Sequence, residues 1–263
     1  MLIDKQQIRC RFQRAAATYD RQAAVQERVA DRLLALLAEH GCMPPADVLE
    51  IGCCTGLLTR RLLEGCPSIR TMVVNDLVES FRETVLQRCR GRAAEISFLA
   101  GDIETMELEA SFDLIISSST FHWFHDLAGT LARLARHLRP HGCLAFAMYG
   151  PDNLCEIREL TGLGLDYPDL GTLRATVARH FTVTVCEERR ETLVFADTAT
   201  LLTHLRQTGV NALVRAPWTR KRMEGFLREY RHRFGDDRGV RLTYHPMYVL
   251  ARSRQGAAGP RLP

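Results

Sequence analysis

A short apolar run, Val48-Leu49-Glu50-Ile51, stops at Gly52, and Cys53-Cys54-Thr55-Gly56 leads from there into a second apolar stretch, Leu57 to Leu63. A run that short, closed by glycine, reads as a buried strand feeding a tight turn and then a helix. The unit repeats. Thr71 to Asp76 reads as a strand and Glu79 to Arg90 as a helix. Ile96 to Asp102 and Phe112 to Ser119 read as strands, and Leu127 to Leu138 as a helix. Pro140-His141-Gly142 then turns the chain into a fifth strand, Cys143 to Met148. Strands alternating with helices require right-handed crossovers, so the expected class is α/β, a parallel sheet with helices on both faces.

Upstream, residues 15–38 read as one helix, with Val25, Val29, Leu33, Leu36 and Leu37 at helical spacing, stopped by Gly41-Cys42-Met43-Pro44-Pro45. Downstream, residues 151–171 are richer in Gly, Pro and Asp and read as an inserted connection. Leu173 to Arg179 reads as a helix and Phe181 to Phe195 as a strand or hairpin. Thr198 to Gln207 and Thr219 to Phe234 read as helices. Arg241 to Ala251 reads as a last strand, where Pro246 argues for a bulge or an edge. The expected organisation is one domain over 1–252, with 1–44 as an N-terminal helical lid and 151–235 carrying inserted, substrate-side elements. Residues 253–263 are expected to be a disordered tail.

The chain has 263 residues, 46% of them apolar, enough for the core of one such domain. No apolar run approaches the roughly 20 residues of a membrane helix, and Met1 to Arg14 lacks a secretory core. A cytoplasmic protein with no membrane partner is expected. The nine cysteines are odd in number and contain no C-x-x-C. Reduced thiols, mostly buried as small hydrophobes, are expected, and no metal. The net charge is +4, and Lys5 and Lys221 are the only lysines, so nearly all basic charge is arginine, which grips carboxylates and phosphates in a bidentate way. Residues 204–241 concentrate it: Arg206, Arg215, Arg220, Lys221, Arg222, Arg228, Arg231, Arg233, Arg238 and Arg241 face only Glu224, Glu229, Asp236 and Asp237. Such a segment suits an acidic partner, or is a solvated helix face. No RNA-binding module and no N/D-P-P-Y-type tetrapeptide accompanies it, so nucleic acid is not the expected partner.

Three features mark the carboxyl ends of successive strands, the edge where ligands bind in such sheets. Glycines at 52 and 56 let a backbone approach a ligand closely and present N–H donors at a helix N-terminus. Alone, this is also what an ordinary strand-to-helix turn looks like. Asp76 ends the second strand, where a carboxylate can accept two ribose hydroxyls, and Asp102, in Gly101-Asp102-Ile103, ends the third. The order Glu50-x-Gly52-x-Cys54-Thr55-Gly56 is not the dinucleotide pattern G-x-G-x-x-G. It resembles motif I of the class I methyltransferases, E/D-x-G-x-G-x-G. That resemblance implies a Rossmann-like, seven-stranded mixed sheet whose last strand is antiparallel, and a site for S-adenosylmethionine formed by Glu50, Gly52, Cys54, Gly56, Asp76, Leu77, Asp102, Ile103 and Ser118, without a metal. Cys54 departs from the family glycine. If the backbone there needs a positive φ, a side chain costs about 1–2 kcal/mol.

The fourth strand ends in Ser117-Ser118-Ser119-Thr120-Phe121-His122-Trp123. Phe121 and Trp123 either wall a methyl-transfer pocket or pack the core, and His122 is a candidate catalytic residue, by positioning rather than as a base. Four segments are similar to the BioC family, the malonyl-acyl-carrier-protein O-methyltransferases of biotin synthesis. They are Arg14-Ala15-Ala16-Ala17-Thr18-Tyr19-Asp20, Ser119 to Trp123, Leu205 to Asn211, and Leu242-Thr243-Tyr244-His245-Pro246-Met247-Tyr248. At His122 that family commonly has glutamine. The resemblance runs from about residue 9 to 251. It implies methylation of the free carboxylate of a malonyl thioester, on an acidic acyl carrier protein or coenzyme A, with Tyr19 closing over the site as a catalytic and pocket residue and the carrier docking on 204–241. An arginine is expected to hold the malonyl group. The alternatives are another small carboxylate, a quinone-type ring carbon, or a non-catalytic scaffold.

Overall fold

The structure, a computed structural model, describes residues 3–92, 94–208 and 219–254. Helices α1 (Lys5–Ala15), α2 (Tyr19–Gln22) and α3 (Ala24–Glu39) replace the single helix expected over 15–38. The segment before residue 15 is itself helical: the Asp4 carboxylate caps Gln7 N–H, and Ile8 and Ala15 are buried on one face. The break at Ala16–Thr18 has a visible cause. Thr18 N–H returns to the Ala15 carbonyl at 2.9 Å, and its hydroxyl reaches the carbonyl of Gln207 at 3.2 Å. The turn aims Tyr19 inward.

The sheet is built from β1 (Asp47–Ile51), α4 (Leu57–Gly65), β2 (Thr71–Asp76), α5 (Phe81–Arg88), β3 (Glu95–Ala100), β4 (Phe112–Ser118), α6 (Leu127–Leu134) and β5 (Leu138–Tyr149). After it come α7 (Cys155–Thr161), α8 (Leu170–Val177), β6 (Phe181–Glu188), β7 (Glu191–Phe195), α9 (Thr198–Gln207), α10 (Arg220–Phe234), β8 (Gly235–Asp236), β9 (Gly239–Tyr244) and β10 (Pro246–Ser253). The main sheet has seven strands in the order β3-β2-β1-β4-β5-β10-β6, with β10 antiparallel to both neighbours. The mixed, Rossmann-like architecture is the expected one. The chain order reverses between β1 and β4, so the crevice of such a sheet lies at their carboxyl ends.

Both faces of β1 are buried, as a central parallel strand requires. Leu33, Leu37, Leu58, Leu62 and Val85 pack one face against Val48, Val74 and Ile116. Leu131, Leu134, Leu173 and Val177 pack the other against Leu49, Ile115 and Phe146.

The second half departs from expectation. Residues 181–195 are not a hairpin: β6 joins the main sheet, and β7 joins a three-stranded antiparallel sheet, β7-β9-β8. The single last strand is two, β9 and β10, divided at His245, with Pro246 at the start of β10 where its missing N–H is tolerated. The inserted connection contains α7. Pro140-His141-Gly142 does not precede β5. It lies within it, as extra residues between the pairs Phe112–Leu138 and Leu114–Cys143. Ser253 belongs to β10 rather than to a tail, and 255–263 lie outside the described residues.

The cysteines also differ from expectation. Cys42, just beyond α3, forms a disulfide with Cys143 of β5, with Cα atoms 6.3 Å apart, because α3 packs across β5. Cys53, Cys66 and Cys89 are buried free thiols, while Cys10 is exposed. No described helix is long and apolar enough to cross a membrane.

Candidate active site

At the end of β1 the backbone turns sharply. Gly52 has φ 73°, and a Cβ there would lie 2.0 Å from the Thr120 hydroxyl, so nothing larger fits. The N–H groups of Gly52 and Cys53 both donate to the Asn75 carbonyl, at 2.8 and 3.0 Å. Cys54 follows at φ 49°, the left-handed conformation that makes a side chain costly, and its N–H donates to Asp76 Oδ2 at 2.8 Å. Gly56, at φ 82°, caps α4, and a Cβ there would press on Val85 at 3.3 Å. The two glycines therefore do different jobs: Gly52 lines the cavity above the loop, and Gly56 fits α4 against α5 behind it.

The cavity, about 710 Å³, lies at the carboxyl ends of β1–β4. Of the residues singled out from the sequence, Gly52, Cys54, Asp76, Leu77, Asp102 and Ile103 line it. So do Ser118, Tyr19 and Trp123. Asp76 sits deep. Burial pushes its carboxyl up to about 6, against the pull of N–H donors from Val78, Cys54 and Leu77. Burial also keeps the Cys54 thiol protonated, its pKa raised well above the ordinary value.

Glu50, Gly56, Phe121 and His122 do not line this cavity. Glu50 is turned into the core, 1% exposed, with Oε2 unpartnered. Burial pushes its carboxyl up to about 7. Phe121 is core rather than pocket wall, its ring 4.5 Å from Phe146 and 4.7 Å from Phe124. A three-residue 3₁₀ turn, Phe121–Trp123, sends neighbouring aromatics in different directions.

Helix α1 closes the cavity. Lys5, Ile8 and Phe12, spaced three and four apart, line it from above. Lys5 Nζ bonds both carboxylate oxygens of Asp102, at 2.7 and 2.6 Å, and also Glu104. Nothing in the sequence singled out Lys5, because its partners lie some hundred residues away.

A second, smaller cavity of about 440 Å³ adjoins the first, sharing Phe12, Tyr19, Ser119 and Trp123 with it. Its remaining wall includes His122, Tyr149, Asn153 and Tyr167. Ser119 bonds the Tyr149 hydroxyl at 3.2 Å, and Asn153 donates to the Tyr167 hydroxyl at 3.1 Å. Burial raises the phenols of Tyr19, Tyr149 and Tyr167, the last to about 12, so all three remain hydrogen-bond donors. Burial pushes His122 down to about 3, and its Nδ1 has no partner. Tyr149 ends the fifth strand and was findable by the same edge rule as Asp76 and Asp102. The arginine expected to hold the acceptor does not line either cavity among the described residues. The arrangement joins a deep cleft, with Asp76 and Asp102 in its wall, to a side pocket of phenol and hydroxyl donors.

Away from the cleft, Arg206, Lys221, Arg222, Arg228, Arg231 and Arg233 are exposed, as are Arg220, Arg238 and Arg241. Arg215 lies outside the described residues. Arg220 pairs with Glu224, Arg233 with Glu159 and Arg238 with Asp236. Among the described residues, no group of three His, Cys, Asp or Glu could hold a metal.

Residues 49–146 match the family described as "Methyltransferase domain". The chain is 38% identical to the malonyl-[acyl-carrier protein] O-methyltransferase of Chlorobium luteolum, over 97% of each chain. It is 37% identical to the Haemophilus influenzae protein of the same name, over 95% of each. Among solved structures it resembles the N-methyltransferase NodS of Bradyrhizobium japonicum in complex with S-adenosyl-L-homocysteine, with TM-score 0.51, 17% identity and 86% of each chain covered. It also resembles the [4+2]-cyclase SpnF, with TM-score 0.55 and 16% identity, over 85% of this chain and 80% of that one. A fold shared by a methyltransferase and a cyclase does not choose the chemistry; relatives similar over their full length carry more.

Proposed function

This chain belongs to the malonyl-[acyl-carrier protein] O-methyltransferase family, and from that premise we infer that it methylates the free carboxylate of malonyl-acyl carrier protein with S-adenosylmethionine. The observation that carries this reading is identity of 37–38% over nearly the whole of both chains, lid and inserted elements included. The resemblance to the BioC family assigns the reaction to an early step of biotin synthesis, and the cytoplasmic location expected from the sequence goes with it.

The residues fit the cosubstrate. Gly52, Asp76, Asp102 and Ile103 line the cavity; Asp76 would accept the ribose hydroxyls, and Asp102 with Ile103 would meet the adenine. When bound, S-adenosylmethionine supplies an electrophilic methyl group. The acceptor carboxylate is already ionised at neutral pH, so no strong base is needed. What this chain supplies is position and dryness. Opposite charges vanish along the reaction, so excluding water helps. Phe12, Tyr19 and Trp123, which line both cavities, form the dry junction between them. Tyr19 donates to the thioester carbonyl or to the carboxylate oxygen that does not attack, and Tyr149 and Tyr167 hold the remainder of the acyl group. Donors to the attacking oxygen would reduce its nucleophilicity, so neutral hydroxyls serve better here than a bidentate guanidinium. The acidic carrier docks on the exposed basic side chains of 204–241, steered by charge. A ring-carbon acceptor would need a base, and a histidine that titrates at about 3 is a poor one at neutral pH.

The test is methyl transfer from labelled S-adenosylmethionine to malonyl-acyl carrier protein, with malonyl-coenzyme A and acetyl-acyl carrier protein alongside. Label should appear on the malonyl species as a base-labile ester and not on the acetyl one. Transfer to neither malonyl species, with cofactor binding intact, would overturn the reading.

A further inference from the structure

We propose that Lys5 is a positioning residue for the cofactor: by bridging Asp102 and Glu104 it holds α1 closed over the adenine end of the cavity and sets how fast the cofactor leaves. This rests on the cofactor reading above and goes beyond it in naming what closes the site.

The geometry is that of a latch. Lys5, Ile8 and Phe12 project from one face of α1, and all three line the cleft. A cofactor lying between Asp76 and Asp102 is therefore covered on one side by α1, and lifting α1 widens its way out. An ammonium has three donors, and here they meet the two Asp102 oxygens and Glu104. Both partners belong to the body of the fold. Asp102 follows β3, and Glu104 is fixed from the other side by the N–H groups of His125 and Asp126, at 2.9 and 2.8 Å, at the start of α6. The Lys5 ammonium also sits 5.9 Å from the ring centre of Phe124, which lines the same cleft.

The Lys5–Glu104 pair is more buried than the surface pairs of α10. Side-chain exposure is 17% for Lys5 and 8% for Glu104, against 94% and 58% for the surface pair Arg220–Glu224. Exposed pairs contribute little, whereas a part-buried, charge-assisted contact resists opening. Asp102 can serve both groups at once, because a carboxylate has about four acceptor positions, of which Lys5 occupies two and the Glu104 N–H a third. The adenine amine adds a donor on a free position, so Lys5 orients the carboxylate it shares rather than competing for it.

The experiment uses the full chain and S-adenosylhomocysteine as probe. Release is followed by stopped flow, and amide hydrogen exchange over residues 5–15 is measured without ligand. Lys5→Met should release the probe about tenfold faster, the size of one such contact, and should raise exchange across α1 in the ligand-free protein. Lys5→Arg should restore both. Glu104→Gln, at a position outside the cavity lining, should speed release in the same direction. Its effect should largely disappear in the Lys5→Met background, because both act through one contact. Unchanged release and exchange in Lys5→Met would overturn the proposal, as would independent, additive effects of the two substitutions. Failure of the wild-type chain to bind the probe would overturn the cofactor reading itself. It is told apart from failure of the latch alone by intact wild-type binding.

Discussion

The backbone N–H of Cys54 and the carboxylate of Asp76 meet at 2.8 Å, so the turn after β1 and the end of β2 are one unit. Asp76 also receives Val78 N–H at 2.8 Å on its other oxygen. The group proposed to bind the ribose therefore also shapes the loop. Its carboxyl, raised by burial to about 6, must lose its proton before it can accept two hydroxyls. Affinity for S-adenosylmethionine should accordingly fall as pH drops through 6. Asp76→Asn keeps one acceptor, for the N–H of Cys54 or of Val78 but not both, and loses the charge. It should weaken binding by roughly 10- to 100-fold at pH 8, or about 1.5–3 kcal/mol, and flatten the pH dependence. Calorimetric titrations from pH 5 to 8 would check both effects.

Cys54 holds a left-handed backbone conformation with a side chain attached. Glycine removes that strain, about 1–2 kcal/mol, and returns part of it as unfolded-state entropy, about 0.5–1 kcal/mol. Cys54→Gly should leave stability equal or higher by up to about 1 kcal/mol, and cofactor affinity equal or better, since the thiol lines the cleft. Thermal melts and titration together test this. A large loss of affinity would mean the thiol makes a contact of its own with the ligand.

Glu50 is a cost carried by the fold. In the unfolded chain its carboxyl titrates near 4.5, and in the folded one near 7. Between those values the folded chain holds a proton that the unfolded chain has released. Stability from this group therefore falls as pH rises, by up to about 3 kcal/mol above pH 7. Glu50→Gln removes that slope. The variant should be more stable than wild type at pH 8, by about 1–3 kcal/mol, and lose the advantage by pH 5. Urea midpoints at the two pH values measure it.

Much of this was written locally. Strands buried on both faces appear as unbroken apolar runs, and their ends at Gly52, Asp76 and Asp102 mark the ligand edge without help from distant residues. Three kinds of information were not local. One is side: Glu50 and Gly52 share a strand end, but which way each points depends on register and turn geometry. Another is pairing across the chain, as in Lys5–Asp102 or Cys42–Cys143, separated by 97 and 101 residues. The third is sheet membership. Residues 181–195 read as a strand or hairpin and 241–251 as one last strand, and only a second sheet explains why each divides.

The proposed carrier surface is tested by salt and by substrate size. Lys221, Arg228 and Arg231 project from α10, and no ion pair to them is seen among the described residues. Replacing all three by glutamate should raise the KM for malonyl-acyl carrier protein by about tenfold or more at low salt, and the difference should shrink as ionic strength rises. The rate with malonyl-pantetheine, which has no acidic protein attached, should hardly change. Equal losses on both acceptors would place the carrier elsewhere.

His122 decides between carboxyl and ring-carbon chemistry. Its imidazole stands against Tyr149 at 5.1 Å, edge to face, in the side pocket. With its pKa depressed to about 3, it is neutral throughout the physiological range and a poor acceptor of protons. A neutral imidazole can still fill space and donate one hydrogen bond from Nε2, since Nδ1 is buried without a partner. Glutamine offers a similar shape and an N–H donor. His122→Gln should therefore retain methyl transfer within about fivefold, and the wild-type rate should show no histidine step between pH 6 and 8. A catalytic base would behave otherwise, since losing one costs roughly 10²- to 10⁴-fold. A loss of that size in His122→Gln, with S-adenosylmethionine binding unchanged, would mean that the acceptor needs a proton removed, and the malonyl carboxylate does not.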